Sequence, residues 1–501
     1  MAFADQHHRA APLELQADDF RTLGYQMVDA IADFLASLPQ RPVAPGKTPS
    51  EIRNLLHSQD PLPEDGADAE RLLGETAKLL FENSTFNGHP RFLGYITSSA
   101  APIGALGDLL AASVNPNVGA GGLSPMATEI EAQTVRWIAE LLGYPVDGGG
   151  LMVSGGNMAN FTGFLAARKA RASWDVRKAG MRDSRLRVYA SNETHTWIQK
   201  AADLFGLGTD AIRWLPTDAG QRMDTAALRQ AIAQDRANGD EPFMVVGTAG
   251  SVSTGAVDPL PEIAAICRES NLWFHVDGAY GAPAAALPDA PDDLKGLREA
   301  DSLAVDPHKW LYAPLEAGCI LVRDASKLLD AFSYHPIYYH FDSEQESFIN
   351  YYEYGLQNSR GFRALKVWLA LRQVGRNGYV QMMTEDIRLM QALYRLADEH
   401  PELEAATHNL SITTLRYVPA GLQPGTEAVG EYLNNLNEAL LTNLQNGGEV
   451  FLSNAVVGGR FLLRACVVNF RTSSADIHAL PEIIVRAGRA LDDQMRPDAL
   501  R

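Results

Sequence analysis

Cysteine is scarce: Cys267, Cys319 and Cys466 are the only three in 501 residues. An odd, widely spaced set makes neither a disulfide framework nor a zinc-ligand pattern, and fits thiols in a reducing compartment. Positive charge is also short. Asp and Glu number 61 against 43 Lys and Arg, a formal net charge of −18, so the basic face that phosphate backbones require is missing and nucleic acid is excluded as a general partner. No run of about 20 apolar residues offers a membrane span. The uncharged segments 92–107 and 109–128 are interrupted by Gly, Pro, Asn and Ser, and they read as loops and turns. The first 20 residues contain an early Asp and no continuous apolar core, unlike a secretory signal. Together these absences predict a soluble, cytoplasmic protein with no membrane partner. No internal repeat is found either.

Apolar residues are plentiful, at 46 % of the chain, enough for two or three domains with large cores. Phe20, Leu23, Met27, Ile31, Phe34, Leu35 and Leu38 recur at helical spacing. They predict a helix over 18–38, capped by Asp18 and ended by Pro39. A Pro-rich linker at 41–50 precedes a second helix over 69–83. Residues 1–85 thus form an amphipathic helical segment too small to hide its own apolar face, which must pack on the main body or on a second subunit.

Over residues 86–376 the pattern becomes short apolar strands, at 187–191, 243–249, 272–277, 302–306 and 319–323, alternating with helices at 194–204, 224–237 and 260–270. That is an α/β domain with a mostly parallel central sheet and helices on both faces. Ligands of such sheets bind beyond the C-terminal strand ends. Residues 377–501 read as a helix, strands such as LSITTLRYV and GRFLLRACVVNF, and a last helix near 480–491, a small α+β C-terminal domain.

Chemistry is therefore sought where strands stop. Lys309 lies just past one apolar strand, between His308 and Trp310. An amine among apolar groups has a lowered pKa and can form a Schiff base, although an isolated lysine at a strand end is more often a surface group. Asp277 ends the preceding strand, 32 residues earlier, and is followed by the small Gly278 and Ala279. Two consecutive strands would deliver a carboxylate and an amine to one sheet edge. Pyridoxal phosphate needs that pair, the amine for its aldehyde and the acid for its ring nitrogen. Upstream, a strand ends at Val153, Ser154-Gly155-Gly156-Asn157 turn, and a helix starts near Met158. Such a turn lets backbone N–H groups approach a phosphate, though a Gly-Gly pair alone means only a tight turn. His195 follows another strand end, placed to stack on a ring, to donate a proton, or merely to cap its own helix. No metal site is apparent.

The segments NGHPRFLGY (87–95), SPMATEIEAQTVRWIAELLG (124–143), SGGNMAN (154–160), HVDGAY (275–280), DPHKW (306–310) and FRALKVWLALRQVG (362–375) together resemble the group II pyridoxal-phosphate-dependent amino-acid decarboxylases. Members of that family act on aromatic amino acids, histidine and glutamate. The resemblance covers nearly the whole chain, and HVDGAY with DPHKW is its most specific part. It implies a type I aminotransferase-like fold, bound pyridoxal 5′-phosphate, and a homodimer whose active sites lie at the interface, with the N-terminal helices reaching over the partner. Carried over by position, Lys309 resembles the Schiff-base lysine, Asp277 the ring-nitrogen partner, and His195 the histidine stacked over the ring with Ala279 beneath. Gly155, Gly156 and Asn157 match the phosphate turn, and His308 also matches. Tyr338 stands at the catalytic tyrosine of a mobile loop. Val252 replaces a threonine that contacts the cofactor's 3′-oxygen, leaving Ser251 or Ser253 as substitutes.

The resemblance implies decarboxylation of an L-amino acid to its amine and CO2, with substrate residues drawn from Tyr95, Ile96, Thr97, Ser98 and Arg464. The stretch 94–98 is less bulky than in enzymes for aromatic acids, and Gly119 stands where a larger pocket residue is expected. A roomy, mostly neutral pocket favours an aromatic side chain such as an indole. Against this, NPNVG (115–119) resembles the glutamate and diaminobutyrate branches, and Arg464 could meet a second carboxylate or be structural. Two further alternatives are aldehyde-forming oxidative deamination or transamination on the same scaffold, and a non-enzymatic binding homologue.

Overall fold

The computed structural model describes residues 11–182, 184–334, 348–422 and 425–500. Its centre is a seven-stranded sheet in the order β1-β7-β6-β5-β4-β2-β3. The strands are β1 (Gly149–Val153), β2 (Leu186–Ser191), β3 (Ile212–Leu215), β4 (Glu241–Thr248), β5 (Trp273–Asp277), β6 (Ser302–Val305) and β7 (Gly318–Val322). Neighbours pair in parallel from β3 through β6, and only β7 runs against both of its neighbours. The strands read as near-continuous apolar runs because both faces are covered. Phe274 and Val276 of β5 join the core on one face, and Trp273 joins the core on the other.

A second sheet, β10-β11-β9-β8, is antiparallel. It comprises β8 (Leu403–Asn409), β9 (Ile412–Tyr417), β10 (Ser453–Val457) and β11 (Arg460–Cys466), with its own core against helices Glu427–Gly447 and Ser474–Met495. Helix Ala364–Asp398 joins the two sheets. It packs on helices Pro102–Val114 and Pro125–Leu141 as well as on β8 and β9, and it is interrupted at Gly375, where φ is +64°. The architecture is the expected α/β fold with a mostly parallel sheet and a small α+β C-terminal part.

Several local expectations need correction. The first helix spans Ala17–Ser37 and its N-cap is Gln16, with no side-chain cap. Asp18 lies inside its first turn, where a carboxylate still meets the positive end of the helix dipole. A helix not expected from the sequence, Pro49–Leu56, begins at the end of the linker from a Thr48–Glu51 capping box. The segments read as loops hold the helix Pro102–Val114. Its glycines permit close packing and do not break it: a Cβ on Gly104 would lie 2.5 Å from Pro314 Cδ, and one on Gly107 would lie 2.9 Å from Leu369 Cδ1. Gly119 is explained the same way, since a Cβ there would sit 2.2 Å from the Asn358 carbonyl oxygen. The last helix starts earlier than its apolar pattern, at Ser474, because Ser473 and Asp476 form a capping box.

One buried ion pair ties these layers together. Arg360 and Glu131 are almost fully enclosed. The guanidinium bonds Glu131, the Val118 carbonyl at 2.9 Å and the Met152 carbonyl at 2.6 Å, and Glu131 accepts the Met152 N–H at 2.9 Å. A helix, edge strand β1 and two loops therefore meet on one charge pair. Removing one partner would strand the other charge in the core, which costs about 3–5 kcal/mol. Glu131→Ala and Arg360→Ala should each lower the urea midpoint by a corresponding amount, and an unchanged midpoint in either would show that the pair is dispensable.

Candidate active site

The C-terminal ends of β4, β5 and β6 open into a cavity of about 450 Å³. Strand register brings Thr248 opposite Asp277, and Asp277 opposite Ala304. The turns beyond these strands are stitched to one another. Ala249 N–H donates to the Asp277 carbonyl at 2.9 Å, Gly278 N–H to Ala304 at 3.0 Å, and Asp306 N–H to Ala279 at 3.1 Å. Asp277, Asp306 and Lys309 thereby reach one cavity.

Gly155, Gly156, Asn157, His195, Asp277, Ala279, His308, Lys309 and Ile96 all line it, as does Val252. Gly155 has φ +148°, a value that L side chains rarely adopt, and no side chain caps the helix Gly156–Arg171 that begins beyond it. A Cβ on Gly156 would lie 2.7 Å from Asp306 Oδ2, so a glycine is required for the turn to sit this close. The helix N-terminus is left open toward the cavity, the arrangement that receives a phosphate.

Lys309 behaves differently from the sequence-based expectation. Its amine does not lie among apolar groups; Nζ is 3.0 Å from Asp306 Oδ2, with 23 % of the side chain exposed. Burial alone would pull its pKa down, but Asp306 and then Asp277 more than offset that and hold it above the ordinary lysine value. His195 is pushed down, chiefly by burial, with Asp277 opposing and Lys309 adding to the shift. Its Nδ1 accepts the Trp197 backbone N–H at 3.2 Å, so the neutral ring carries its proton on Nε2. The helix-capping contact and the place on the cavity wall coexist in one residue. His308 is also lowered by burial, and its Nδ1 accepts Ala317 N–H at 3.1 Å.

The other expected residues lie elsewhere. Tyr95 is exposed, with its ring 6.0 Å from that of Phe451. Thr97 is half-buried outside the cavity lining. Ser98 Oγ donates to the His308 carbonyl at 2.8 Å and so supports the Lys309 turn from behind. Arg464 is buried and committed to the Val252 carbonyl and, at 3.0 Å, to Ser453 Oγ. Ser251 bonds Thr254 at 3.1 Å, and Ser253 bonds Glu193. Neither serine is therefore a free substitute for the missing threonine. Tyr338 lies outside the described residues.

Sequence reasoning overlooked Asp306, Thr248 and Trp197. Asp306 had a signal, because β6 runs into an Asp just as β5 ends in one. Thr248 Oγ1 and Asp306 Oδ1 are buried with no hydrogen-bond partner among the described residues, and both residues line the cavity. An open helix N-terminus, a carboxylate, an amine and two unsatisfied polar atoms around a small alanine fit pyridoxal phosphate. No cluster of three or more metal-ligating side chains occurs among the described residues.

Because Asp306 raises the Lys309 pKa, removing its charge should lower it. Cofactor-free Asp306→Asn protein should capture pyridoxal phosphate with a pH midpoint below that of the wild type, followed by the growth of visible absorbance. An unmoved or higher midpoint would show that Asp306 does not set the charge of this amine.

Residues 49–415 match the family model described as the pyridoxal-dependent decarboxylase conserved domain. An aromatic-L-amino-acid decarboxylase of Bacillus atrophaeus is 35 % identical over 468 residues, 93 % of this chain and 94 % of that one. A phenylacetaldehyde synthase of Petunia hybrida is 30 % identical, over 86 % of each chain. The solved Catharanthus roseus tryptophan decarboxylase in complex with L-tryptophan superposes with a TM-score of 0.84 at 26 % identity, covering 95 % of this chain and 99 % of that one. The shared fold, the cavity that fits the cofactor and the family match lead to one conclusion: the chain belongs to the pyridoxal-dependent decarboxylase family and is a pyridoxal-phosphate-dependent amino-acid decarboxylase.

Proposed function

We propose that the substrate is an L-amino acid with a neutral aromatic side chain, converted to its amine and CO2. The observation that carries this reading is the charge inventory of the cavity. Lys309 is its only lysine or arginine among the described residues, against Glu193, Asp277, Asp306 and Glu316. Both histidines are biased toward neutrality, and Arg464 is already spent. A second substrate carboxylate would find no cation, which argues against glutamate. A cationic side chain meets acids that each hold one donor already, with Asp306 Oδ1 their one buried oxygen left open among the described residues. Glu193 bonds Ser253, Asp277 bonds Trp197, Asp306 bonds Lys309, and Glu316 pairs with Arg363 at 3.0 Å. The aromatic-acid relatives point the same way.

In this reading Lys309 is the amine that holds the cofactor aldehyde, and the Gly155-Gly156-Asn157 turn holds its phosphate. Asp277 keeps a proton at the ring nitrogen, His195 and Ala279 enclose the ring, His308 closes the wall beside the glycine turn, and Thr248 offers the free hydroxyl. The bound cofactor supplies an electron-accepting ring for the negative charge left at Cα when CO2 departs. Of the 95–98 stretch, Ile96 is proposed as the substrate contact, because it alone lines the cavity. Tyr338 is proposed, by family position, as the acid that returns a proton to Cα.

We also propose a homodimer. Phe34 stacks on Phe81 at 4.4 Å within the N-terminal hairpin, yet Phe20, Tyr25, Leu80, Leu106, Leu109 and Leu110 stay exposed, and a second subunit would cover them. The three cysteines are free and buried, and among the described residues no helix is long and apolar enough to cross a membrane. Both features suit the proposed cytoplasmic location.

Incubation with single L-amino acids, measuring CO2 and amine together, tests the substrate class. Aromatic acids should give the two products one to one, with kcat/KM roughly a hundredfold or more above glutamate and diaminobutyrate, since an unmatched buried charge costs several kcal/mol. Preference for either charged substrate would overturn the reading. Aldehyde, ammonia and hydrogen peroxide in place of amine would instead favour the activity named for the Petunia relative. For the dimer, protein lacking residues 1–85 should aggregate or be inactive, and a soluble, fully active monomer would refute it.

A further inference from the structure

We propose that Trp197 is a positioning residue that fixes Asp277 and His195 relative to each other; this rests on the cofactor-binding roles given to those two above. Trp197 opens the helix Trp197–Leu204 and has no exposed surface. Its indole Nε1–H donates to Asp277 Oδ2 at 2.8 Å, and its backbone N–H donates to His195 Nδ1 at 3.2 Å. One residue thus grips both the acid at the end of β5 and the imidazole on the cavity wall.

The grip is rigid because the indole has nowhere to turn. It lies edge-on to His275, ring centroids 5.6 Å apart at 76°, and His275 is itself held by Ser302 Oγ and Asn160 Oδ1, each at 2.7 Å. Asp277 Oδ1 takes the Ala279 N–H at 3.2 Å. With one donor on each oxygen, the plane of the carboxylate is set. A carboxylate that must meet a ring nitrogen at one angle gains more from orientation than from charge alone. On the imidazole, the backbone N–H occupies Nδ1 and leaves Nε2–H as the donor. A Phe would keep an aromatic ring of smaller volume and leave Asp277 Oδ2 without its donor, and a sulfur isostere of the indole would keep the volume too, so packing and positioning can be separated.

Trp197→Phe in the cofactor-loaded enzyme removes the indole N–H, leaves a smaller aromatic ring and keeps the backbone N–H. A hydrogen bond to a charged group should be reflected in a kcat about 10-fold to 100-fold lower, with KM within about twofold and faster loss of cofactor absorbance on dilution. The decisive comparison is a cycle with Asp277→Asn. If Trp197 acts through Asp277, the double variant should match Asp277→Asn alone within about threefold, in both kcat and cofactor release. Multiplicative losses would mean that Trp197 acts by packing, and an unchanged Trp197→Phe enzyme would also overturn the proposal. Near wild-type activity in Asp277→Asn would instead refute the role given to Asp277 itself, a distinct result. Should Trp197→Phe fail to fold, incorporation of the sulfur isostere benzothienylalanine at position 197 removes only the N–H and reads the same quantities.

Discussion

A lysine ammonium at the end of a fully covered sheet is costly unless opposite charge is brought to it, and the ion pair between Lys309 and Asp306 meets that cost. Much of the surrounding architecture follows. Asp306 reaches the amine within its own turn, three residues before Lys309, whereas Asp277 is brought to the same edge because β5 lies beside β6 in parallel and both strands stop there. Asp306 also fills the space beside Gly156, so the glycine turn and the amine are held by the same carboxylate. Asp277, on the neighbouring strand, adds a second negative charge. Asp277, itself buried, then needs donors of its own, which the Ala279 N–H and the Trp197 indole provide, while Asp306 Oδ1 is left without one among the described residues.

This arrangement explains which parts of the site were legible in the sequence. Strand ends are marked by apolar runs meeting an acid or a glycine, and that signal located Asp277, the turn at 154–157 and Lys309. It also marked Asp306, whose importance appears only when its carboxylate is seen between Lys309 and Gly156. The helix at 69–83 was recoverable because its pattern is amphipathic and its partner is local, through Phe34 and Phe81. Helix Pro102–Val114 was not, since its apolar face is continuous with little polar contrast and its glycines imitate loop signals. They are read correctly only against Pro314 and Leu369. The lowered pKa expected of Lys309 failed for a related reason: a lysine that follows an apolar strand in sequence is not thereby surrounded by apolar groups in space.

Arg464 and Trp197 show the same limit from opposite directions. Arg464 is a charge in the right general region, and one-dimensional reading offers it as a ligand for a substrate acid. In the structure its hydrogen bonds go to a carbonyl and a serine of the scaffold. Trp197 carries no charge, occupies an apolar position of a helix and reads as core, yet its one polar atom lies on Asp277. Side-chain type alone does not reveal which polar atoms are already used, and a site is defined by the ones that are not. Thr248 Oγ1 and Asp306 Oδ1 are of that kind.

The Lys309 turn also depends on a part of the chain that never reaches the cavity. Asp386, on helix Ala364–Asp398, accepts Trp310 Nε1–H at 2.8 Å and Tyr312 O–H at 2.6 Å, both through Oδ2. On the same helix, Tyr379 donates to the Leu311 carbonyl at 3.1 Å. Three successive residues after Lys309 are therefore held by one helix, whose later turns pack on β8 and β9. Burial pushes Asp386 up to about 7, against the lowering effect of its two donors, a cost accepted at a position outside the cavity lining. Trp310 in turn stacks on Tyr280 at 5.1 Å, and Tyr280 bonds Ser411 between β8 and β9 at 2.7 Å. The turns following Asp277 and Lys309 are thus clamped to each other and to the C-terminal sheet by the same aromatic contact.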